Sequence, residues 1–364
     1  MEVTHAAKLK KEMMTCTACG TCKAVCPAYD ALGWDSACAR GRVLLAYGLL
    51  VKEIEPDKSV VERLYQCMTC NRCAEKCPSK VTVLDIIENI RKDIYDKGHC
   101  LPAHKKLAEN IIKLGNPFGE TKMRETHGRT KKNSKTGYFM GCLSGYREQK
   151  IAKASMNVLD KLKIDFTILD EVCCGSPLAR IGGSETELKR LVEKNVKSIE
   201  DAGLEKVVFS CAGCYRMFKL EYPKFTKINF KVEHISETIN DALSNKKIEL
   251  KSLKKSVTYH DPCHLGRHAK VYDAPREVIN KIPGVTFKEM QYNRSEARCC
   301  GGGGGVRAAF PELAESIAAT RTEEAKKVAD MLVTSCPFCV NNLKKGDKTK
   351  IEIKDLVEVI DELL

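Results

Sequence analysis

The chain has 364 residues, 43% of them apolar and 30% charged, which is enough for two or three soluble domains with real cores. No segment approaches the roughly 18 uninterrupted apolar residues of a membrane span, and the first residues lack the apolar stretch and cleavage site of a secretory signal, so a cytoplasmic protein is expected. The formal charge of +13 does not point to nucleic acid, because no basic stripe carries interleaved aromatics.

Twenty cysteines in a reducing compartment are not a disulfide framework, and metal ligation is the remaining bulk use for so many thiols. Bound thiolates also change the charge. Four iron–sulfur groups at about −2 to −3 each would leave the folded protein only slightly basic.

Residues 1–100 hold ten cysteines among short helical stretches, "SVVERLYQ" and "VLDIIENIRKDIYDKG" among them. The longest apolar run, "VLLAYGLLV" from Val43 to Val51, reads as a buried helix. Cys16, Cys19, Cys22 and Cys26, then Cys67, Cys70, Cys73 and Cys77, both follow C-x2-C-x2-C-x3-C-P. That is the bacterial ferredoxin run for [4Fe–4S] clusters, in which the fourth cysteine of each run ligates the other cluster. By that rule Cys16, Cys19, Cys22 and Cys77 hold one cubane, and Cys67, Cys70, Cys73 and Cys26 hold the other. Pro27 and Pro78 turn the chain away. Zinc also takes four thiolates, but a doubled ferredoxin run is poorly explained by it. Cys38 and Cys100 lie outside both runs and read as buried spare thiols. Arg40 and Arg42 are expected to pack against the first cluster.

Residues 115–136 have charge, Gly and Pro but little apolar periodicity, as in a linker or long surface connection. Two copies of one pattern follow. The first passes through Cys142, Cys173–Cys174 and Cys211/Cys214; the second through Cys263, Cys299–Cys300 and Cys336/Cys339. Between copies the stations move by 121, 126 and 125 places, which marks an internal duplication. In each copy β-rich runs ("YFMGC", "DFTIL", "KVVFSC") alternate with helical ones ("GSETELKRLVEKNVKSIEDAG", "AFPELAESIAATRTEEAKK"). Such alternation predicts a parallel sheet with covering helices and ligands beyond the carboxyl ends of its strands. The expected fold is α+β: an α-helical two-[4Fe–4S] ferredoxin-like domain (1–114), a linker (115–136) and two α/β domains with small parallel sheets (137–250 and 251–364).

Each copy offers five thiols, one more than a cubane or a zinc ion takes. Adjacent cysteines across a sharp bend can bind two different irons. Gly175, Gly301 and Gly302 after them permit positive φ and let backbone N–H groups approach the sulfur atoms. The five glycines from Gly301 also suggest empty space for a substrate. A flexible loop with one spare cysteine is the plainer alternative. No Gly-Lys-Ser/Thr follows, so this is not a phosphate loop.

With C-x30-CCG-x35-CxxC and C-x35-CCG-x34-CxxC behind a double ferredoxin run, the chain resembles the CCG-domain iron–sulfur oxidoreductases. Within that family it is most similar to the D subunits of heterodisulfide reductase. The resemblance implies two CCG-bound, non-cubane [4Fe–4S] clusters held by Cys142, Cys173, Cys174, Cys211 and Cys214 and by Cys263, Cys299, Cys300, Cys336 and Cys339. It also implies cleavage of a mixed disulfide of two thiol coenzymes, with the paired cysteines as the catalytic centre. The chain departs from that family in seeming short, and in having Cys38 where a proline is expected. No Gly-x-Gly-x-x-Gly follows a strand, so neither flavin nor nicotinamide is expected in this chain. Electrons would then come from a donor or flavoprotein subunit, or a membrane cytochrome-type one. His260, His264, Arg267, His268 and Arg307 are candidates to bind acidic groups or move protons, with His264 and Arg267 foremost. Hydrogen bonds to sulfur or helix caps are their plainer use. The alternative function is electron transfer alone, beside a flavin dehydrogenase for a 2-hydroxy acid or glycerol 3-phosphate.

Overall fold

The N-terminal third is helical, with Ala39–Leu50, Lys58–Tyr65, Val83–Asp96 and Pro102–Leu114 as its main elements. The computed structural model describes residues 1–122, 124–128 and 134–364. Helix Val83–Asp96 buries Val83, Ile86, Ile87, Ile90 and Ile94, the helical spacing that directs one apolar stripe inward. On the same helix, buried Asp93 accepts hydrogen bonds from the backbone N–H groups of Thr4, His5 and Ala6 and so ties down the first residues. Helix Ala39–Leu50 buries Val43, Ala46 and Leu49 but leaves Leu44 58% exposed. The expectation of a buried helix there holds for one face.

Each copy of the repeat forms a four-stranded, all-parallel sheet. The first contains β1 (Thr136–Phe139), β2 (Thr167–Ile168), β3 (Lys206–Phe209) and β4 (Lys231–His234), in the order β2-β1-β3-β4. The second contains β5 (Ser256–His260), β6 (Thr286–Phe287), β7 (Met331–Thr334) and β8 (Glu352–Asp355), in the matching order β6-β5-β7-β8. The duplication extends to the caps. After β4 and β8, His234 with Glu237 and Asp355 with Glu358 form capping boxes that start the last helix of each copy.

The copies pack on each other through those helices. Gln149–Lys161 lies against Leu356–Leu363, and Ile235–Asn245 against Asp273–Asn280. Together with the strands they enclose one shared core that includes Tyr138, Val158, Tyr259, Val278 and Ile360. A second core runs from Ile86 and Ile90 in the N-terminal helices to Phe209 and Leu332 in the two sheets, with Val306 from the short helix Val306–Ala309. The described part of segment 115–136 is tied into this body. Gly115 ends helix Pro102–Leu114 at φ +67°, and its carbonyl accepts from the backbone N–H of Cys173 at 2.7 Å.

Candidate metal centres

The loop from Cys16 to Cys22 passes through positive φ at Ala18 (+54°) and Gly20 (+82°). This turn faces Cys16, Cys19 and Cys22 into one cavity with Cys77 and Pro78, and Cys73 borders it. The thiols of Cys67 and Cys70 lie by Cys26 instead, and Cys73 feels all three. The structure thus brings together the cysteines that the crossed ferredoxin pattern groups. Cys19 is exposed. The Arg40 backbone N–H donates to Cys22 Sγ at 3.3 Å, but Arg42 reaches Cys26 Sγ at 4.0 Å. Arg42 therefore belongs to the second group, a correction to its expected place beside the first. Cys38 is buried against Cys22 and donates to the Asp35 carbonyl; Cys100 is half-buried near Tyr65 and Tyr95.

In the repeats, the strands deliver their cysteines to one edge. Cys142 and Cys211 follow β1 and β3; Cys263 and Cys336 follow β5 and β7. The thiols of Cys142, Cys173, Cys174, Cys214 and Cys211 neighbour one another in series. The second copy repeats the series as Cys263, Cys299, Cys300, Cys339 and Cys336. Two further contacts join what the sequence keeps apart. Cys70 of the ferredoxin-like domain lies beside Cys299, and Cys211 lies beside Cys336. The four cysteine groups consequently form one line through the molecule. Within these groups one thiol is held down while its neighbour is pushed up: Cys70 is lowered and Cys299 raised by their contact, and Cys174 is lowered while Cys173 and Cys214 are raised, the mark of sulfur atoms crowded into one site.

The donor set and its surroundings suit anionic clusters. Gly141, at φ +78°, sits where a Cβ would meet Cys214 Sγ at 3.2 Å, so the backbone itself lines the first CCG group. Arg91 is fully buried, yet donates only to the carbonyls of Leu64, Cys67, Arg180 and Gly304. Arg267, 2% exposed, donates to the carbonyls of Cys70, Ser295 and Ala297, and its Nη2 has no partner. Neither takes part in an ion pair among the described residues. Buried guanidinium groups without carboxylates need another source of negative charge, and Cys67 beside Arg91, with Cys70, Cys263 and Cys299 beside Arg267, would supply it as thiolates on a cluster. At the first CCG group, Arg124 from the segment before β1 donates to Cys142 Sγ at 3.4 Å and pairs with buried Glu171.

The five glycines do not leave an empty bay. A Cβ at Gly302 would strike Phe338, at Gly303 the Met68 carbonyl (2.7 Å), at Gly304 the Cys67 carbonyl and at Gly305 His104 Nε2 (2.7 Å). The expectation of substrate space there is corrected: side chains are absent because the second CCG segment presses on the backbone of the second ferredoxin run. Gly301 meets Ala314 and Ile317, and Gly175 meets Leu188. Each also turns its N–H to a thiol, Gly301 to Cys299 Sγ at 3.4 Å and Gly175 to Cys173.

His264 is half-buried where the copies meet. Its Nε2 accepts from Arg216 at 3.1 Å, and a Cβ on Gly213 would lie 3.6 Å from both its Nδ1 and Cys211 Sγ. Burial, with Arg216 close by, pushes the imidazole well below its ordinary range, so the ring is neutral. His268 Nε2 bonds the Thr69 carbonyl, and Arg307 pairs with Glu315. Both are spoken for. Sequence reasoning missed Arg91, Arg124 and Arg216; no local motif marks an arginine that is bonded across domains.

Comparison with known proteins agrees. Residues 136–219 and 257–344 match the cysteine-rich CCG domain, and residues 12–81 the 4Fe-4S dicluster domain. The chain is 37% identical to the D subunit of the dihydromethanophenazine:CoB--CoM heterodisulfide reductase of Methanosarcina acetivorans, over 97% of this chain and 94% of that one. It is 35% identical to the B subunit of the fumarate reductase (CoM/CoB) of Methanothermobacter marburgensis (83% and 62%), and 31% identical to the probable iron-sulfur-binding oxidoreductase FadF of Bacillus subtilis (84% and 46%). The fold is shared with a hypothetical protein from Helicobacter pylori at 12% identity, with a TM-score of 0.59 over 89% of this chain and 68% of that one. None of the described helices is long and apolar enough to cross a membrane. The chain belongs to the CCG-domain iron–sulfur oxidoreductases, as a relative of the heterodisulfide reductase D subunits.

Proposed function

We propose that the chain is the disulfide-cleaving subunit of an oxidoreductase complex, acting on a heterodisulfide of the coenzyme M–coenzyme B type. In this reading Cys16, Cys19, Cys22 and Cys77, and Cys67, Cys70, Cys73 and Cys26, hold two cubane [4Fe–4S] clusters. The two five-cysteine groups hold non-cubane [4Fe–4S] clusters. The carrying observation is the contact of Cys211 with Cys336, which sets two complete five-thiol groups side by side. Bound clusters supply single electrons, and cleavage of one S–S bond consumes two.

The chain's own residues do the rest. Cys70 against Cys299 provides a short path from the ferredoxin-like domain into the second CCG group, while exposed Cys19 marks the end open to a donor protein. Because Arg216 donates to His264 Nε2, the neutral ring carries its proton on Nδ1, on the side of Cys211. That Nδ1–H is placed to hydrogen-bond a departing thiolate, whose proton comes from water because a neutral ring has none to give up. Arg267 holds the second ferredoxin run against the second CCG group through the Cys70 carbonyl, so it acts as a positioning residue. The donor is a separate partner protein, either a flavoprotein or a membrane cytochrome-type protein that would hold this chain at the membrane surface.

The likeness to FadF, an oxidoreductase whose name specifies no disulfide substrate, leaves a second reading: electron relay beside a flavin dehydrogenase for a 2-hydroxy acid or glycerol 3-phosphate, without disulfide chemistry. Anaerobic oxidation of reduced viologen by iron-replete protein, with the mixed disulfide as acceptor, separates the two. Turnover supports the disulfide-cleaving reading; its absence at full iron and sulfide content, with the clusters reduced by a flavoprotein partner, supports relay.

A further inference from the structure

His260 ends β5, three residues before Cys263. The same place in the first copy, three residues before Cys142, is Phe139 at the end of β1. Phe139 packs against Phe209 and Phe218 with ring centroids 5.3 and 5.0 Å apart. Into the second CCG group, the same strand end thus brings a polar ring.

The ring is 1% exposed. A ligand atom of His260 and the Sγ atoms of Cys300 and Cys339 all lie within 4.8 Å of one another. Its Nδ1 accepts from Arg321 Nε at 3.2 Å, and Arg321 is itself buried and paired with Glu324. A guanidinium can only donate, so Nδ1 carries the lone pair and the proton of the neutral ring lies on Nε2. Nε2 makes no well-formed hydrogen bond, and the sulfur atoms of Cys300 and Cys339 are near the ring. A buried N–H needs an acceptor, and a Cys300 thiolate bound to a cluster would offer one.

We propose that His260 is a tuning residue of the second CCG group, its Nε2–H hydrogen-bonding Cys300 Sγ, with no counterpart at Phe139. Such a bond stabilises the more negative, reduced state of a sulfur-ligated cluster and raises its potential. Arg321 is the positioning residue that fixes the tautomer. The inference rests on the reading that Cys300 and Cys339 hold a cluster.

The test uses the iron-replete full chain. In His260→Phe, iron and sulfide content should stay at the wild-type level while one cluster signal in a redox titration followed by electron paramagnetic resonance moves negative. The expected change in its reduction equilibrium is about tenfold, or about 59 mV for one electron. His260→Gln, which keeps an N–H donor, should recover part of the shift. An unmoved potential at full iron content overturns the proposal, and so does loss of iron in His260→Phe, which would make the histidine a ligand. Where His260→Phe fails to fold, wild-type protein labelled with 15N-histidine decides: weak nitrogen coupling to the reduced cluster supports the donor, and strong coupling or none overturns it. Failure of the underlying reading looks different, as Cys300→Ser would then lose no iron.

Discussion

The two CCG copies share strand order, caps and five thiols, yet their surroundings differ in kind. The first is served by a neighbour in sequence: Arg124, from the segment before β1, donates to Cys142 and balances buried Glu171. The second is served from across the molecule. Cys70 meets Cys299, Arg267 grips the Cys70 carbonyl, and the glycine run lies on Cys67 and Met68. Both copies touch the ferredoxin-like domain, the first through Arg180 and Ile181, but only the second brings its paired cysteines against a ferredoxin cysteine. The difference gives the line a direction, from exposed Cys19 through Cys299 to the junction at Cys211 and Cys336.

Charge removal should break each half separately and with the largest effect. Arg91→Leu strands four buried carbonyls at the seam, and Arg124→Leu leaves Glu171 buried without its cation. Each should cost about 3–5 kcal/mol in denaturant unfolding. Their spectroscopic effects should divide: Arg91→Leu disturbs the second cubane and second CCG signals, and Arg124→Leu only the first CCG signal.

A smaller change sharpens the seam alone. Gly304 sits at φ +62° against the Cys67 carbonyl, so Gly304→Ala forces the second CCG segment off the ferredoxin run. The expected cost is about 1–3 kcal/mol from overpacking, together with slower electron passage into the CCG groups in stopped-flow reduction. Gly203 also has positive φ but meets nothing within 4 Å, so Gly203→Ala should leave that rate unchanged.

The smallest effect is a pH dependence at the same seam. His104 donates from Nε2 to the Gly305 carbonyl, and burial pushes it down to about 4. Its unfolded-state value is higher, so its contribution to stability is whole above about pH 6.5 and fades as pH falls toward 4. Between pH 7.5 and 5.5 the wild type should lose about 1 kcal/mol that His104→Gln does not lose, measured by unfolding at the two pH values.

Much of this was legible in the residues. The doubled ferredoxin run grouped Cys26 with the second run and Cys77 with the first, and the structure places them there. The repeat of Cys142, Cys173–Cys174 and Cys211/Cys214 by Cys263, Cys299–Cys300 and Cys336/Cys339 corresponds to two sheets of matching order. The meetings of Cys70 with Cys299 and Cys211 with Cys336 were not legible. They join elements more than a hundred residues apart, and no local period encodes such a contact. The glycine run misled for a related reason. Missing side chains signal close approach as readily as open space, and only the packed partner tells which. His260 stood among several polar residues near Cys263 until Arg321 fixed its tautomer.

The most direct test of a shared centre at Cys211 and Cys336 is the viologen-to-heterodisulfide turnover of Cys174→Ser and Cys300→Ser, each measured beside wild type at known iron content. The account predicts that either substitution alone abolishes turnover while the N-terminal clusters remain reducible. Wild-type turnover in either variant would contradict it, because one CCG group would then suffice.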